Sequence, residues 1–262
     1  MKITPVKTAV IKDGSKSIFE IIDESIDKVP ERSIVAITSK IISLCEGSFV
    51  ERDKIANKDD LIKSEADYYI NRPPAKYSIM ITIKNSILIA TSGIDESNAN
   101  SYYVLWPKDA YKSANEIRKY LRDKFNVREL GVIVTDSKTT PMRRGTTGFS
   151  IAYSGIKPLR NYIGAGDLFG RKMKMTFSNL VDGFGAAAVV AMGEGNEQTP
   201  IAIIEDVGNV VFCDEDPSEK EIESMKISLN QDLYSPFLLG VDWKKGGGGR
   251  ERDSLCRHSA VL

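Results

Sequence analysis

Residues 130–135 (LGVIVT) are the most convincing buried-strand run in the chain, and the run stops on Asp136. A short apolar run that ends abruptly in polar residues reads as a buried strand. Residues 33–38 (SIVAIT) repeat the pattern after Pro30. Helix signals surround these two runs. Ser17-Ile-Phe-Glu20 has the form of a capping box, followed by Ile18, Ile22, Ile26 and Val29 at helical spacing, with Pro30 as the stop. Ser113-Ala-Asn-Glu116 repeats the device ahead of Ile117, Tyr120, Leu121 and Phe125, and residues 178–192 are small and apolar, as in a tightly packed helix.

Hairpins are expected at 77–91, around Lys84-Asn85-Ser86, and at 200–213, around Val207-Gly208. Residues 2–11 read as a short strand, and the polar stretch 51–75 as a helix-bearing excursion outside the core. The six glycines between 145 and 170 read as turns and close backbone approaches. Asp216-Pro217 opens a last helix carrying Ile222, Met225 and Leu229. Strands and helices mix without strict alternation. The expected class is therefore mixed α/β (α+β), with largely antiparallel or mixed sheets and flanking helices, rather than a doubly wound parallel sheet. At about 150 residues per domain, 262 residues give one large domain or two closely joined ones. The expectation is a single domain over residues 1–243, built as one unit or as two intertwined subdomains. A disordered tail is expected over 244–262, where four glycines run together at 246–249.

Composition removes several functions. Thirty-six Lys and Arg balance 36 Asp and Glu, so no net field draws the chain to nucleic acid or an anionic membrane. No apolar run reaches the roughly 18 residues of a membrane span, and the first residues lack a signal-peptide core, so a cytoplasmic protein is expected. Cys45, Cys213 and Cys256 are too few and too scattered for a disulfide framework or a four-thiolate zinc site. The only histidine, His258, lies in the tail, which argues against Ser-His-Asp, Cys-His and two-histidine zinc chemistry. What is left is carboxylates, hydroxyls, Lys, Arg and backbone amides, an inventory suited to Mg²⁺ or Mn²⁺ and to phosphate.

The P-loop pattern is absent, and Gly164-Ala-Gly166-Asp-Leu-Phe-Gly170 misses the dinucleotide fingerprint by one residue, so it reads as a turn. Three acids stand at element ends: Asp95 in Ser92-Gly-Ile-Asp-Glu-Ser-Asn98, Asp136 followed by Ser137, and Glu194 between Gly193 and Gly195. A carboxylate there projects into a cleft while its backbone stays anchored, and glycines beside Glu194 free N–H groups to face an anion. Each is equally what an ordinary turn or cap requires, so spacing alone does not choose among 36 acids. Arg143-Arg144 suits a phosphate or carboxylate substrate, or a solvated basic loop. Trp106 and the Tyr102-Tyr103 pair read as core or dimer-contact aromatics rather than a stacking platform.

Seven segments occur in a telling order. They are Thr38-Ser-Lys-Ile-Ile-Ser43 leading to Glu46-Gly47, the Asp95 segment, and Gly131-Val-Ile-Val-Thr-Asp-Ser137. Then come Arg143-Arg-Gly145, Gly148-Phe-Ser-Ile-Ala-Tyr-Ser-Gly155, Asp167-Leu-Phe-Gly-Arg171, and Met192-Gly-Glu-Gly195 with Pro200. In this order the chain resembles the coenzyme F420-0:γ-glutamyl ligases from about residue 3 to about residue 213. The resemblance implies a homodimeric, GTP-dependent ligase that attaches L-glutamate to a carboxylate of a phosphorylated deazaflavin through an acyl phosphate, releasing GDP and phosphate. It also implies two Mg²⁺ or Mn²⁺ ions per site. Carried over by position, Asp95 and Asp136 match one metal's ligands, and Ser137 and Glu194 the other's. Ser39, Lys40, Asn98 and the loop containing Gly193, Gly195, Asn196 and Thr199 match the nucleotide contacts. Arg143 and Arg144 would hold the acceptor phosphate or the acyl phosphate.

The chain departs from the family at Leu44, where a lysine is usual, at Thr139-Thr140, at Asp182-Gly183 and at Glu205-Asp206, and residues 7–11 run one residue short. Losing a cation on a desolvated phosphate costs about 1.5–3 kcal/mol unless Lys40 or Arg143 substitutes. Two other readings stay open: a γ-glutamyl ligase for a folate-type acceptor, and a non-catalytic nucleotide-binding paralogue.

Overall fold

A computed structural model describes residues 1–12, 14–74 and 76–250. His258 and Cys256, with the rest of 251–262, lie outside the described residues. The chain opens with β1 (Lys2–Val6), α1 (Ile18–Ser25), β2 (Ser33–Thr38), α2 (Ser39–Cys45) and β3 (Phe49–Glu51). Next come α3 (Lys58–Glu65), β4 (Tyr68–Tyr69), β5 (Ile81–Lys84), β6 (Ile87–Ala90) and β7 (Tyr102–Val104). The long α4 (Ala110–Phe125) leads into β8 (Leu130–Thr139), β9 (Thr146–Ser154), β10 (Leu159–Asn161) and β11 (Phe177–Asn179). The remainder is α5 (Leu180–Met192), β12 (Ile201–Glu205), α6 (Glu219–Ser224), α7 (Ser235–Leu238) and β13 (Lys244–Lys245). No helix among the described residues is long and apolar enough to cross a membrane.

The main sheet has the order β1-β12-β2-β8-β9, with β2 and β8 parallel and the other neighbours antiparallel. Its central strands carry unbroken apolar runs because both faces are covered. Val35, Ile37, Val132 and Val134 point to a core shared with α1, α2 and α4, whereas Ile34, Ala36 and Ile133 point to a core under α5. The class is the mixed α/β with flanking helices that the sequence predicts.

A smaller lobe holds the four-stranded sheet β13-β4-β5-β6 with α3, around Leu61, Ile62, Met80 and Leu105. Residues 51–75, expected outside the core, thus contribute Leu61 and Ile62 to a second core shared with Val50, Met80, Ile94 and Leu105. That core contains an ion pair, Lys84 Nζ to Glu65 Oε2 at 2.5 Å, with both side chains buried. Such a pair is weak support for stability while intact and strongly destabilising when halved.

Several boundaries move for identifiable reasons. The first capping box forms as expected at Ser17 and Glu20. The second does not: Asp109 caps α4 at the Lys112 N–H, which puts Ser113 inside the helix, donating back to the Asp109 carbonyl. The hairpin at 200–213 does not form, because β1 and β2 occupy both edges of β12. Only Phe212 of its expected second strand makes a bridge, to Ile156. Residues 244–250 are ordered rather than tail-like. Lys244–Lys245 pairs with β4, and the N–H groups of Gly246 and Gly247 donate to the Asp67 and Lys63 carbonyls, both at 2.9 Å. A Cβ on Gly246 would lie 2.2 Å from the Ala66 oxygen, so only glycine lets this segment cap the end of α3.

The glycine-rich stretch also contains a full strand. β9 runs through Gly148, where it meets α5 backbone to backbone: a Cβ on Gly185 would sit 2.8 Å from the Phe149 carbonyl carbon. This contact fixes the helix that ends next to Glu194. Gly185→Val should lower stability by about 2–3 kcal/mol through overpacking, read as an earlier urea unfolding midpoint. An unchanged midpoint would mean the two elements separate freely.

Candidate functional site

Where β2 and β8 end side by side, their carboxyl ends open into a cavity of about 510 Å³. Crevices beyond strand C-termini are the usual ligand sites of open α/β sheets. Every residue matched to a metal or nucleotide contact lines this one cavity. Asp136 and Ser137 come from β8, Ser39 and Lys40 from the start of α2, and Asp95 and Asn98 from the loop after β6. Gly193, Glu194, Gly195, Asn196 and Thr199 come from the loop between α5 and β12. Arg143 and Arg144 do not line it; they are exposed on the β8–β9 turn, three and two residues before Thr146. A larger depression of about 760 Å³ lies between α4 and residues 214–216, where Arg122 pairs with Asp214 at 3.2 Å and Arg118 with Asp216 at 3.8 Å.

Local structure delivers each acid. Thr91, Ser92 and Gly93 all take positive φ, held by Ser92 Oγ donating to the Ile62 carbonyl and by Ser92 N donating to Thr82 Oγ1. Strained backbone of this kind persists where surrounding contacts over-determine it. It turns the chain so that Asp95 bridges Val104 through two backbone hydrogen bonds of 2.9 Å. Glu194 follows Gly193, whose φ of +82° ends α5. The loop beyond is tied down by Thr199 Oγ1 donating to the Met192 carbonyl, Asn98 Nδ2 to the Gly195 carbonyl and Thr8 N to the Gln198 carbonyl.

The electrostatics divide the three acids. Burial pushes the Asp95 carboxyl up, but Lys40 at 2.7 Å and the Ser97 hydroxyl and N–H outweigh it and leave the group below its ordinary range. Burial dominates at Asp136 and raises it to about 7, against N–H donation from Trp106 and Ser137 and with help from the charge of Asp95. Glu194 is exposed and accepts hydroxyl donation from Ser137 at 2.7 Å and from Thr146 at 3.2 Å. Among the described residues, no three Asp, Glu, His or Cys side chains stand close enough to form a metal cluster unaided. The donor set still fits a hard cation. It is all oxygen, and it includes a half-buried carboxylate, Asp136, whose desolvation outweighs its hydrogen bonds, with the charge of Asp95 nearby. Mg²⁺ in particular takes only one or two protein carboxylates and completes its shell with water and phosphate.

Two features were not legible in the sequence. The Gly193–Gly195 nest is filled by the chain's own anion, since the Glu197 carboxylate accepts the Gly195 N–H at 2.8 Å. Trp106 is not merely core packing: its indole N–H donates to Asp136. At the family-lysine position, Leu44 is a buried apolar wall of the cavity, packed on Ala99 and Val104.

The sequence model of the F420-0:gamma-glutamyl ligases matches residues 5–206. The chain is 31% identical to the coenzyme F420:L-glutamate ligase of Methanopyrus kandleri over 220 residues, covering 78% of this chain and 86% of the relative. It is 34% identical to the protein of that name from Methanocaldococcus jannaschii, with coverage of 67% and 76%. Against the Methanosarcina mazei protein the figures are 29% identity and 73% and 80% coverage.

Proposed function

Because the chain belongs to the F420-0:gamma-glutamyl ligase family and is thus a ligase, we propose that it joins L-glutamate to a carboxylate of coenzyme F420-0 with GTP as co-substrate, releasing GDP and phosphate. The observation that carries the reading is the gathering of Asp95, Asp136, Ser137 and Glu194, from three separate segments, around one cavity at the ends of parallel strands. A free carboxylate is a poor electrophile. Its oxygen attacks the γ-phosphorus, the bond to the GDP oxygen breaks, and an acyl phosphate results. The glutamate amine then attacks the acyl carbon, phosphate leaves, and the amine proton passes to solvent. None of these steps needs a histidine.

Two Mg²⁺ or Mn²⁺ ions, one held by Asp95 and Asp136 and one by Ser137 and Glu194, would supply the charge neutralisation that phosphoryl transfer chiefly requires. Ser39, Asn98, Asn196 and Thr199 frame the nucleotide, and a phosphate takes the nest now filled by Glu197. Arg143 and Arg144, on the turn leading into Thr146, meet the acceptor's phosphate as it enters. A homodimer is part of this reading: Leu168 and Phe169 on the β10–β11 arm are 98% and 89% exposed, and Met142 is fully so, which is apolar surface that a second copy covers.

Lys40 has a double role. Its ammonium now neutralises Asp95 at 2.7 Å and also contacts Ser97. Once a divalent cation takes Asp95, Lys40 is released to a phosphate, in place of the cation missing at Leu44. Lys40→Met should therefore tighten Mn²⁺ binding while raising the KM for GTP about tenfold, the worth of one charge-assisted contact. Calorimetry that finds weaker Mn²⁺ binding would remove the exchange.

The direct test incubates the full chain with Mn²⁺, GTP, L-glutamate and either F420-0 or dihydropteroate, and reads added glutamyl units by mass spectrometry. F420-0 should gain the unit. Addition to dihydropteroate alone would make the acceptor folate-type, and nucleotide uptake with neither product would make the chain a non-catalytic paralogue. In light scattering, Leu168→Asp with Phe169→Asp should convert a dimer to a monomer; a wild-type monomer refutes the pairing.

A further inference from the structure

Trp106 is almost wholly buried, and its ring is confined from several directions. Below it lies Gly93, where a Cβ would fall 2.2 Å from the indole nitrogen and 2.5 Å from Cε2. Beside it, the Lys84 ammonium stands 5.5 Å from the ring centroid, and Lys84 is itself held by buried Glu65. Phe149 packs on the ring at 6.4 Å between centroids. The backbone is fixed as well, since the Trp106 carbonyl accepts the buried Ser48 hydroxyl at 3.0 Å. Packing of this kind would be met by any large apolar side chain. A tryptophan adds one polar atom, a donor that needs a partner when buried.

That donor is aimed at Asp136 Oδ2, while the Ser137 N–H takes Oδ1 at 2.7 Å. Both oxygens of the carboxylate are thus pinned by N–H groups, leaving fixed lone pairs toward the cavity. We propose that Trp106 is a positioning residue for Asp136, its indole N–H setting the carboxylate's orientation from a seat formed by Gly93 and the Lys84–Glu65 pair. The consequence for metal binding rests on the reading of Asp136 as a ligand. Partners that orient a ligand from behind matter nearly as much as the ligand itself, because a freely rotating carboxylate must be ordered at each binding event. The Lys84–Glu65 part of the seat belongs to the smaller lobe, so α3 and β5 would act on Asp136 through the Trp106 hydrogen bond, besides holding the turn that delivers Asp95.

Trp106→Phe keeps the ring and removes the donor. In the full chain it should weaken Mn²⁺ binding, measured by electron paramagnetic resonance of the free ion, by about 10–100-fold, with an unchanged circular dichroism spectrum. Independently, the ¹⁵N–¹H indole resonance of Trp106, observed in a Trp243→Phe protein, should move upfield when Asp136→Asn is added. Equal Mn²⁺ affinity in Trp106→Phe, or an indole resonance indifferent to Asp136→Asn, overturns the proposal. The resonance pair decides it alone if Trp106→Phe does not fold. If the unaltered chain takes up no Mn²⁺ even with GTP, the metal reading falls, while the resonance still reports on the Trp106–Asp136 contact.

Discussion

The parallel pairing of β2 with β8 is the constraint on which the site depends. Six residues of each strand run in register, from Ser33 opposite Leu130 to Thr38 opposite Thr135. Both strands therefore finish at the same level. One turns at once into α2, and the other carries on through Asp136 and Ser137. Parallel strands pair stably only when both faces are covered, and helices α1, α2 and α4 on one side and α5 on the other provide that cover. The same burial that makes the sheet rigid also desolvates Asp136, so the pairing that builds the core sets the chemistry at its end.

The remaining acids reach that point by different routes. Asp95 arrives on a strained turn whose buried Ser92 is bonded to both Thr82 and Ile62 of the smaller lobe. Glu194 arrives at the end of α5, whose height over the sheet is fixed by the Gly148–Gly185 approach. One acid thus depends on the small lobe, one on the sheet and one on helix packing. A change in the smaller lobe reaches Asp95 through Ser92 and Asp136 through Trp106, and a change in helix packing reaches Glu194, so the cavity is sensitive to substitutions that do not line it.

Much of this was legible. The strand at 33–38 and the hairpin turn at Asn85-Ser86 announced themselves through local rules, namely an apolar run and a polar break between two β-branched runs. The three acids were visible as acids at element ends, but only the ordered set of motifs singled them out, because turn chemistry produces the same residues. What stayed hidden was non-local. The failure of the 200–213 hairpin turns on which strands claim the edges of β12, and the docking of Gly246–Gly249 turns on open carbonyls at Lys63, Ser64, Ala66 and Asp67, far back in the chain. The indole donor of Trp106 looked like core because its partner lies 30 residues away on another element.

The departure at Leu44 is best understood as a change in where the positive charge is kept. A lysine at that position would have to lie along the apolar surface of Ala99 and Val104, which Leu44 now seals at 2% exposure. Four residues earlier, one helical turn back on α2, Lys40 reaches the same cavity with its ammonium already held by the Asp95 carboxylate, a Ser97 carbonyl and a hydroxyl. Residues four apart share a helix face, so a cation lost at 44 can be served from 40 without moving the helix. The cost is that the charge sits on an acid rather than waiting for a phosphate, and it becomes available only when something else neutralises that acid. On the proposed reading, uptake of cation and triphosphate would be interdependent in such a site, because Asp95 and Lys40 hold each other until an outside partner takes one of them.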